Sequence, residues 1–269
     1  MALSTIVLAA VLPFFDFATN SIAQRIAGVD PAVCLSRFVE CQPSKGWRSN
    51  EKFWLKDVDF SCASPWNDEC GAQRAGTLIS KRHIIFARHF PLWKGVRIHF
   101  VGQDGEVCPC RIAKTLPLMN SDIMIGLLDY EVTPNIHPAK ILPDDYAKYI
   151  GTGNGLPIVT FNREEKAYLS ELNSIWTTPK LKILTNLASK NSAWKMLKGN
   201  LVGGDSGNPA FLLIGNEPIL LYCVHQGGAG HGPSILHNRE EIQKAMDELC
   251  PGYRLETFDL EKVRCDDGK

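Results

Sequence analysis

The sequence predicts an all-β protein of short strands, arranged as barrels or a sandwich, with a helix near the C terminus. Residues 96–100 alternate between apolar and polar side chains, which is the period of a half-buried strand. Many short strands separated by turn signals are typical of barrels and sandwiches. Further candidate strands lie at 156–161, 209–213 and 218–224.

Two helices are predicted beside the strands. Asp30 followed by Pro31 is typical of a helix cap and first turn, so a short helix is expected there. A second helix is expected over 238–249, where Asn238 would act as the cap and Glu241 follows it three residues later. The apolar residues of this segment fall on one helical face.

The composition is that of a globular protein. The chain has 269 residues, of which 45% are apolar, enough to bury a large core. Its 29 basic side chains balance 29 acidic ones, so no nucleic acid or anionic membrane is indicated as a partner. No set of Cys and His spacings is typical of a zinc site, and no metal or cofactor is expected.

The first 23 residues have the features of an export signal. Residues 6–15 form an uncharged apolar run, too short to span a bilayer, and small residues follow at Ser21 and Ala23. An uncleaved membrane anchor is the alternative, but Pro13 disfavours a membrane helix. A secreted or periplasmic protein without stable membrane association is therefore expected.

The most specific motif is the stretch 204–209, which reads Gly-Asp-Ser-Gly-Asn-Pro. A serine hydroxyl attacks a carbonyl only when a base takes its proton and donors stabilise the oxyanion. Gly204 can adopt backbone angles that let the N–H groups of Gly204 and Ser206 converge on one point. The motif thus predicts a nucleophile, Ser206, beside an oxyanion hole, although the same residues are also common in turns.

A base and an orienting acid are found upstream. Residues 77–90 contain two short β-branched runs, and His89 lies just past the second one. Asp122 directly precedes another apolar strand candidate. His83 is the rival histidine, but it lies in the turn before the strand. Each of these residues alone could be an ordinary strand-end side chain.

Taken together, these segments resemble the chymotrypsin/trypsin-type serine peptidases. The matching pieces are Ala-Gly-Thr-Leu-Ile-Ser before Ala-Arg-His, then Asp-Ile-Met-Ile-Gly-Leu-Leu, then Gly-Asp-Ser-Gly-Asn-Pro. The order histidine, aspartate, serine belongs to this group, whereas subtilisins and α/β-hydrolases order their triads differently. The resemblance implies His89 as general base, Asp122 as its orienting acid and Ser206 as nucleophile.

The resemblance also implies an architecture: two six-stranded antiparallel β-barrels with the active site between them. The peptidase domain would cover 61–250, with the crossover between barrels near 145–156 and a closing C-terminal helix. Residues 24–60 would be an N-terminal extension and 251–269 a C-terminal tail.

The cysteines depart from the animal members of this family. Phe90 and Val202 stand where those members have disulfide-forming cysteines, so two familiar bridges are absent. Nine cysteines fit an oxidising compartment loosely, and nearby ones could close loops. The candidate disulfides are Cys34–Cys41, Cys62–Cys70 and Cys250–Cys265.

Specificity is expected to differ from that of trypsin. By the family's spacing, the floor of the first substrate pocket is Asn200, which carries no charge to attract Lys or Arg. His225 and Gly227 resemble the pocket segment of bacterial glutamyl endopeptidases, where the histidine binds an acidic side chain. His225 would bind Glu or Asp through charge-assisted hydrogen bonds, or else simply end a strand.

In trypsin-like enzymes, a newly freed N terminus pairs with the aspartate before the serine. Asp205 occupies that place here, and Arg25–Ile26 is the only comparable activation site, with an ordinary signal-peptide junction as the alternative. The function expected from all these features is a secreted serine endopeptidase acting on polypeptides. A catalytically silent homologue that binds a partner and an esterase on the same scaffold are the alternatives.

Overall fold

A computed structural model describes residues 2–42, 46–65, 74–175, 183–187, 191–225, 228 and 230–265. The helices are α1 (Ala2–Ile26), α2 (Pro31–Cys34), α3 (Ala147–Ile150), α4 (Ile235–Leu249) and α5 (Glu261–Cys265), with a 3₁₀ turn at Ala193–Leu197. The first strands are β1 (Phe38–Gln42), β2 (Gly46–Ser49), β3 (Thr77–Leu78), β4 (His83–Ala87), β5 (Arg97–Val101), β6 (Val107–Pro117) and β7 (Ile123–Leu128). The later strands are β8 (Pro157–Phe161), β9 (Ala167–Ser174), β10 (Ile183–Leu187), β11 (Pro209–Ile214), β12 (Glu217–Cys223) and β13 (His231–Pro233).

The strands form antiparallel sheets. A five-stranded sheet has the order β3-β4-β7-β6-β5, and a six-stranded sheet has the order β12-β11-β8-β9-β10-β13. β1 and β2 form a separate two-stranded sheet, and the ring of Trp47 on β2 lies 4.6 Å from that of His99 on β5. At the far edge of the larger sheet, Ser234 pairs with Tyr222 of β12, so its two edge strands approach each other. The prediction of a mostly antiparallel β protein with a C-terminal helix is confirmed.

One apolar core joins the two sheets. Phe60 lies in the connection before the first sheet, and its ring is 4.9 Å from that of Phe161 on β8 and 5.4 Å from that of Phe211 on β11. The same buried cluster includes Ile85 and Phe86 of β4. Because β4 and β11 both lead to the predicted triad residues, this packing fixes the relative position of the two strand ends.

The two predicted helices are present, but the start of the second was wrong. At α2, the side chain of Asp30 accepts a hydrogen bond from the N–H of Ala32, as the cap prediction requires. Helix α4 begins at residue 235 with Ser234 as its cap, three residues before the predicted 238. Asn238 is buried and donates its side-chain amide to the carbonyl of Ser234 at 2.8 Å. Ser234 is the cap because its bridge to Tyr222 of β12 is the last strand pairing before the helix.

Helix α1 continues past residue 23, where the export signal was predicted to end. Phe14, Ala18, Ile22 and Ile26 are spaced four residues apart and are all buried, so they form one stripe on the helix. Phe14 and Ala18 belong to the core of the larger sheet, whereas Ile22 and Ile26 belong to the core shared by both sheets. Loss of residues 1–23 would remove three of these four side chains from the interior.

No helix within the described residues is both long and apolar enough to cross a membrane. The cysteines for which side chains are described are free thiols: Cys34, Cys62, Cys108, Cys110, Cys223 and Cys250. The side chains of Cys41, Cys70 and Cys265, the predicted partners of three of them, lie outside the described part of the chain.

Candidate active site

Strand pairing brings the predicted base and acid together. Strands β4 and β7 are antiparallel neighbours in which Ala87 lies opposite Ile123. His89 follows the end of β4 by two residues, and Asp122 precedes the first residue of β7. The backbone N–H of Arg88 donates to the carbonyl of Asp122 at 3.1 Å, so the pairing continues up to the two side chains.

The serine reaches the same place from the larger sheet. Ser206 lies in the turn before β11, and this turn is tied to the chain after β12 by two backbone hydrogen bonds. The N–H of Gly207 donates to Val224 at 2.8 Å, and the N–H of Val224 donates to Asn208 at 2.8 Å. These two hydrogen bonds fix the turn that contains Ser206 relative to the residues that follow β12.

The three predicted side chains form a continuous hydrogen-bonded chain. Nε2 of His89 lies 2.8 Å from Oγ of Ser206, and Nδ1 of His89 lies 2.6 Å from Oδ2 of Asp122. The backbone N–H of His89 also donates to Oδ1 of Asp122 at 2.9 Å. Because Asp122 accepts at Nδ1, the ring carries its proton there and presents a lone pair at Nε2 to the serine.

Asp122 has a second histidine partner that the sequence did not indicate. Nδ1 of His225 lies 2.6 Å from the same Oδ2 atom that binds His89. The two imidazole rings meet edge to face, with their centroids 4.9 Å apart. One carboxylate oxygen thus accepts from two N–H groups, while 18% of the Asp122 side chain is exposed to solvent.

Two glycines of the predicted oxyanion loop adopt left-handed backbone angles. Gly204 and Gly207 adopt positive φ angles of 99° and 90°, a region that favours glycine. Within the described chain, the backbone N–H groups of Gly204 and Ser206 donate to no protein acceptor. They are the two donors predicted for the oxyanion hole, and they remain available to a ligand oxygen.

Asp205 is satisfied by the main chain rather than by a terminal amine. Its side chain is 1% exposed and accepts from the N–H of Arg163 at 2.9 Å and from the N–H of Val202 at 2.7 Å. The candidate terminus at Ile26 is buried at the end of α1. Both carboxylate oxygens of Asp205 therefore have partners in the intact chain.

The three predicted substrate-binding residues, Asn200, His225 and Gly227, differ in what the structure shows of them. Asn200 is exposed beside Leu201, which pairs with Gly228 in an isolated antiparallel bridge. Gly227 lies outside the described residues. His225, expected to bind an acidic substrate side chain, commits its Nδ1 to Asp122, which leaves only Nε2 of the ring for a substrate. His231 lies 5.8 Å from the His225 ring, and burial together with the His225 charge lowers the pKa of His231.

The rival histidine belongs to the core. His83 is fully buried, its Nδ1 lies 2.8 Å from Oγ of Ser80, and burial lowers its pKa to about 4. One further neighbour of the oxyanion loop is the Arg163 side chain, since a Cβ atom on Gly204 would lie 3.0 Å from its Nη1 atom. No spacing signal in the sequence points to Arg163, because it lies in the turn between β8 and β9.

The chain matches no protein-family model, and no curated protein is significantly similar to it in sequence.

Proposed function

We propose that this protein is a serine-type endopeptidase with a chymotrypsin-like triad. The observation that supports the proposal best is the continuous chain from Ser206 through His89 to Asp122, with both links at hydrogen-bond distance. Histidine, aspartate and serine arranged in this way are a recurrent solution for acyl transfer on unrelated folds. Here they come from two sheets that share one core.

Acylation begins with the serine hydroxyl. As Oγ of Ser206 attacks a carbonyl carbon, its proton passes to Nε2 of His89, and the substrate oxygen becomes an oxyanion. The N–H groups of Gly204 and Ser206 stabilise that charge. Asp122 holds the ring by two contacts, at Nδ1 and at the backbone N–H, and stabilises the imidazolium.

His89 then returns the proton to the leaving amine, and the acyl group stays on Oγ of Ser206. A water molecule, deprotonated by His89, then attacks the acyl carbon; the acyl–Oγ bond breaks, His89 returns the proton to Oγ of Ser206, and the carboxylic acid product leaves. His225 acts as a positioning residue in both halves, because its N–H fixes the Oδ2 atom of Asp122 that receives His89.

The finer architecture belongs to the same proposal. The five- and six-stranded sheets would be the open counterparts of two six-stranded barrels, with the peptidase domain over 61–250 and the crossover near 145–156. Polypeptides are the proposed substrates, and an uncharged Asn200 gives no reason to expect cleavage after Lys or Arg. A preference for acidic residues would have to use Nε2 of His225.

Export to the periplasm or the cell exterior is proposed from the apolar run at 6–15. N-terminal sequencing of the mature protein tests it. A start at Gln24 supports processing after Ala23, whereas a start upstream supports a helix α1 that is kept whole. A start at Ile26 that is required for activity would contradict the account given for Asp205.

The test of the function is covalent labelling. Ser206→Ala is expected to abolish both labelling by a fluorophosphonate probe and cleavage of a peptide library, with an unchanged unfolding temperature. Undiminished labelling of this variant contradicts the assignment. Labelling without peptide cleavage, together with hydrolysis of simple esters, identifies an esterase, and absence of labelling in the wild type identifies a silent homologue.

A further inference from the structure

Three potential metal ligands converge in the candidate active site. Nδ1 of His89 and Nδ1 of His225 each lie 2.6 Å from Oδ2 of Asp122. One ligand atom from each of the three residues lies within 4.8 Å of the other two. A catalytic triad alone would place only the His89 imidazole against Asp122. The second imidazole, from His225, makes these three residues resemble a metal site.

We propose that His89, Asp122 and His225 form a binding site for a single Zn²⁺ ion, and that the bound ion reversibly inhibits hydrolysis. Two imidazoles and one carboxylate are a donor set suited to zinc, which binds nitrogen and oxygen ligands at about 2.0–2.2 Å. Mg²⁺ and Ca²⁺ prefer all-oxygen ligands and do not suit this set. The inhibition rests on the proposed function, whereas the binding does not.

The site is reachable and adjustable. Both histidine side chains are 40% exposed, so an ion can approach from solvent and the rings can turn. Ligands around a tetrahedral zinc ion stand about 3.3 Å apart at these bond lengths. Each Nδ1 would therefore move roughly 0.7 Å away from Oδ2, a shift within reach of small side-chain rotations at a partly exposed site.

Zinc at this position disables the base. The ion occupies the Nδ1 lone pair of His89, so a neutral ring must carry its proton on Nε2. Nε2 then donates toward Oγ of Ser206 and has no lone pair with which to accept the hydroxyl proton. No proton is lost overall from the two neutral rings, because each moves its proton from Nδ1 to Nε2.

The matched variant is His225→Asn. The side-chain amide nitrogen of asparagine stands where Nδ1 of histidine stands, so it can still donate to Asp122 but cannot bind a metal, and the amide oxygen suits zinc less well than imidazole does. His225→Ala removes both the hydrogen bond and the ligand. Comparison of the two variants separates the positioning of Asp122 from metal binding.

Binding is measured by titrating the metal-free, full-length protein with ZnCl₂ in a calorimeter. The wild type is expected to bind one ion at this site, and both His225 variants to bind it at least about tenfold more weakly. Zinc held by thiols, such as those of Cys108 and Cys110 with sulfurs 3.9 Å apart, would persist in both variants. Equal zinc affinity in wild type and His225→Asn overturns the proposal.

Inhibition is measured on peptide hydrolysis, with each variant normalised to its own metal-free rate. Zinc should inhibit the wild type, a chelator should restore the rate, and His225→Asn should need at least about tenfold more zinc. MgCl₂ at the same concentrations should have no effect. Inhibition of His225→Asn at wild-type zinc concentrations refutes the site, whereas His225-dependent binding to a protein that hydrolyses nothing refutes the proposed function alone.

Discussion

Replacement of Asp122 by asparagine tests the proposed mechanism most directly. The carboxylate accepts three hydrogen bonds, from two imidazole N–H groups at Oδ2 and from the backbone N–H of His89 at Oδ1. Asparagine has one acceptor oxygen and one donor nitrogen in the same space. In either orientation of the amide, its NH₂ group therefore faces an N–H donor, either from the imidazoles or from the backbone of His89.

If the amide nitrogen faces the imidazoles, His89 must carry its proton on Nε2 and cannot act as a base. If the oxygen faces them, the nitrogen opposes the backbone N–H of His89, which lies 2.9 Å from Oδ1 of Asp122. Both orientations lose the negative charge that stabilises the imidazolium. In serine proteases, the corresponding change costs about 10⁴ in rate, which is about 5.4 kcal/mol of activation free energy.

The assay is kcat/KM on a cleaved peptide, with the unfolding temperature as a check on the fold. The chain provides a matched control, since Asp59 holds His137 with the same 2.6 Å contact between Oδ2 and Nδ1, in a pair that makes no hydrogen bond to His89, Asp122 or Ser206. Asp59→Asn should keep the wild-type rate. A rate for Asp122→Asn within tenfold of wild type would refute the assignment of Asp122.

Three further predictions concern the oxyanion loop, a buried acid and the first helix. Gly204 has a φ of 99°, and a Cβ atom there would lie 3.0 Å from Nη1 of Arg163. Gly204→Ala is therefore expected to lower kcat by roughly 10²–10³ while the protein stays folded. A wild-type kcat would contradict the predicted oxyanion donors. Burial raises the pKa of Glu165 to about 7 despite Arg37, so its contribution to stability is present below pH 4.5 and is lost as pH rises through about 7. Glu165→Gln should therefore gain unfolding temperature relative to wild type between pH 5 and pH 8 in calorimetry, and a pH-independent difference would argue against this titration. Ile22→Ala should cost about 2–5 kcal/mol in denaturant unfolding, since the side chain is fully buried, and a loss below about 0.5 kcal/mol would show that α1 is not part of the core.

The positions of the proposed base and acid could be predicted from the sequence because they depend on neighbouring elements. His89 and Asp122 lie at the ends of two strands with clear apolar patterns, and antiparallel pairing of those strands necessarily places the ends together. The Gly-Asp-Ser-Gly motif likewise predicted the turn that holds Ser206, because the backbone of glycine can adopt angles closed to other residues.

The helix starts show where local patterns are not enough. Ser234 and Asn238 are both acceptable caps by residue type. Ser234 is the cap because it still pairs with Tyr222, so the helix begins only after this residue. In α1, the four-residue spacing of buried side chains is visible in the sequence, but the surface that covers them is supplied by distant strands.

The sequence by itself determined the class of fold, the turn that holds Ser206 and the strand ends that carry His89 and Asp122, because each is specified by local periodicity or by short-range turn chemistry. Only the tertiary structure decided that His225 binds Asp122, since the two residues are separated by 103 positions and come from different sheets. The same distance in sequence explains why no spacing of histidines indicated a metal site. A carboxylate oxygen shared by two imidazoles depends on the tertiary packing, which holds the ends of two strands against each other at this partly exposed site.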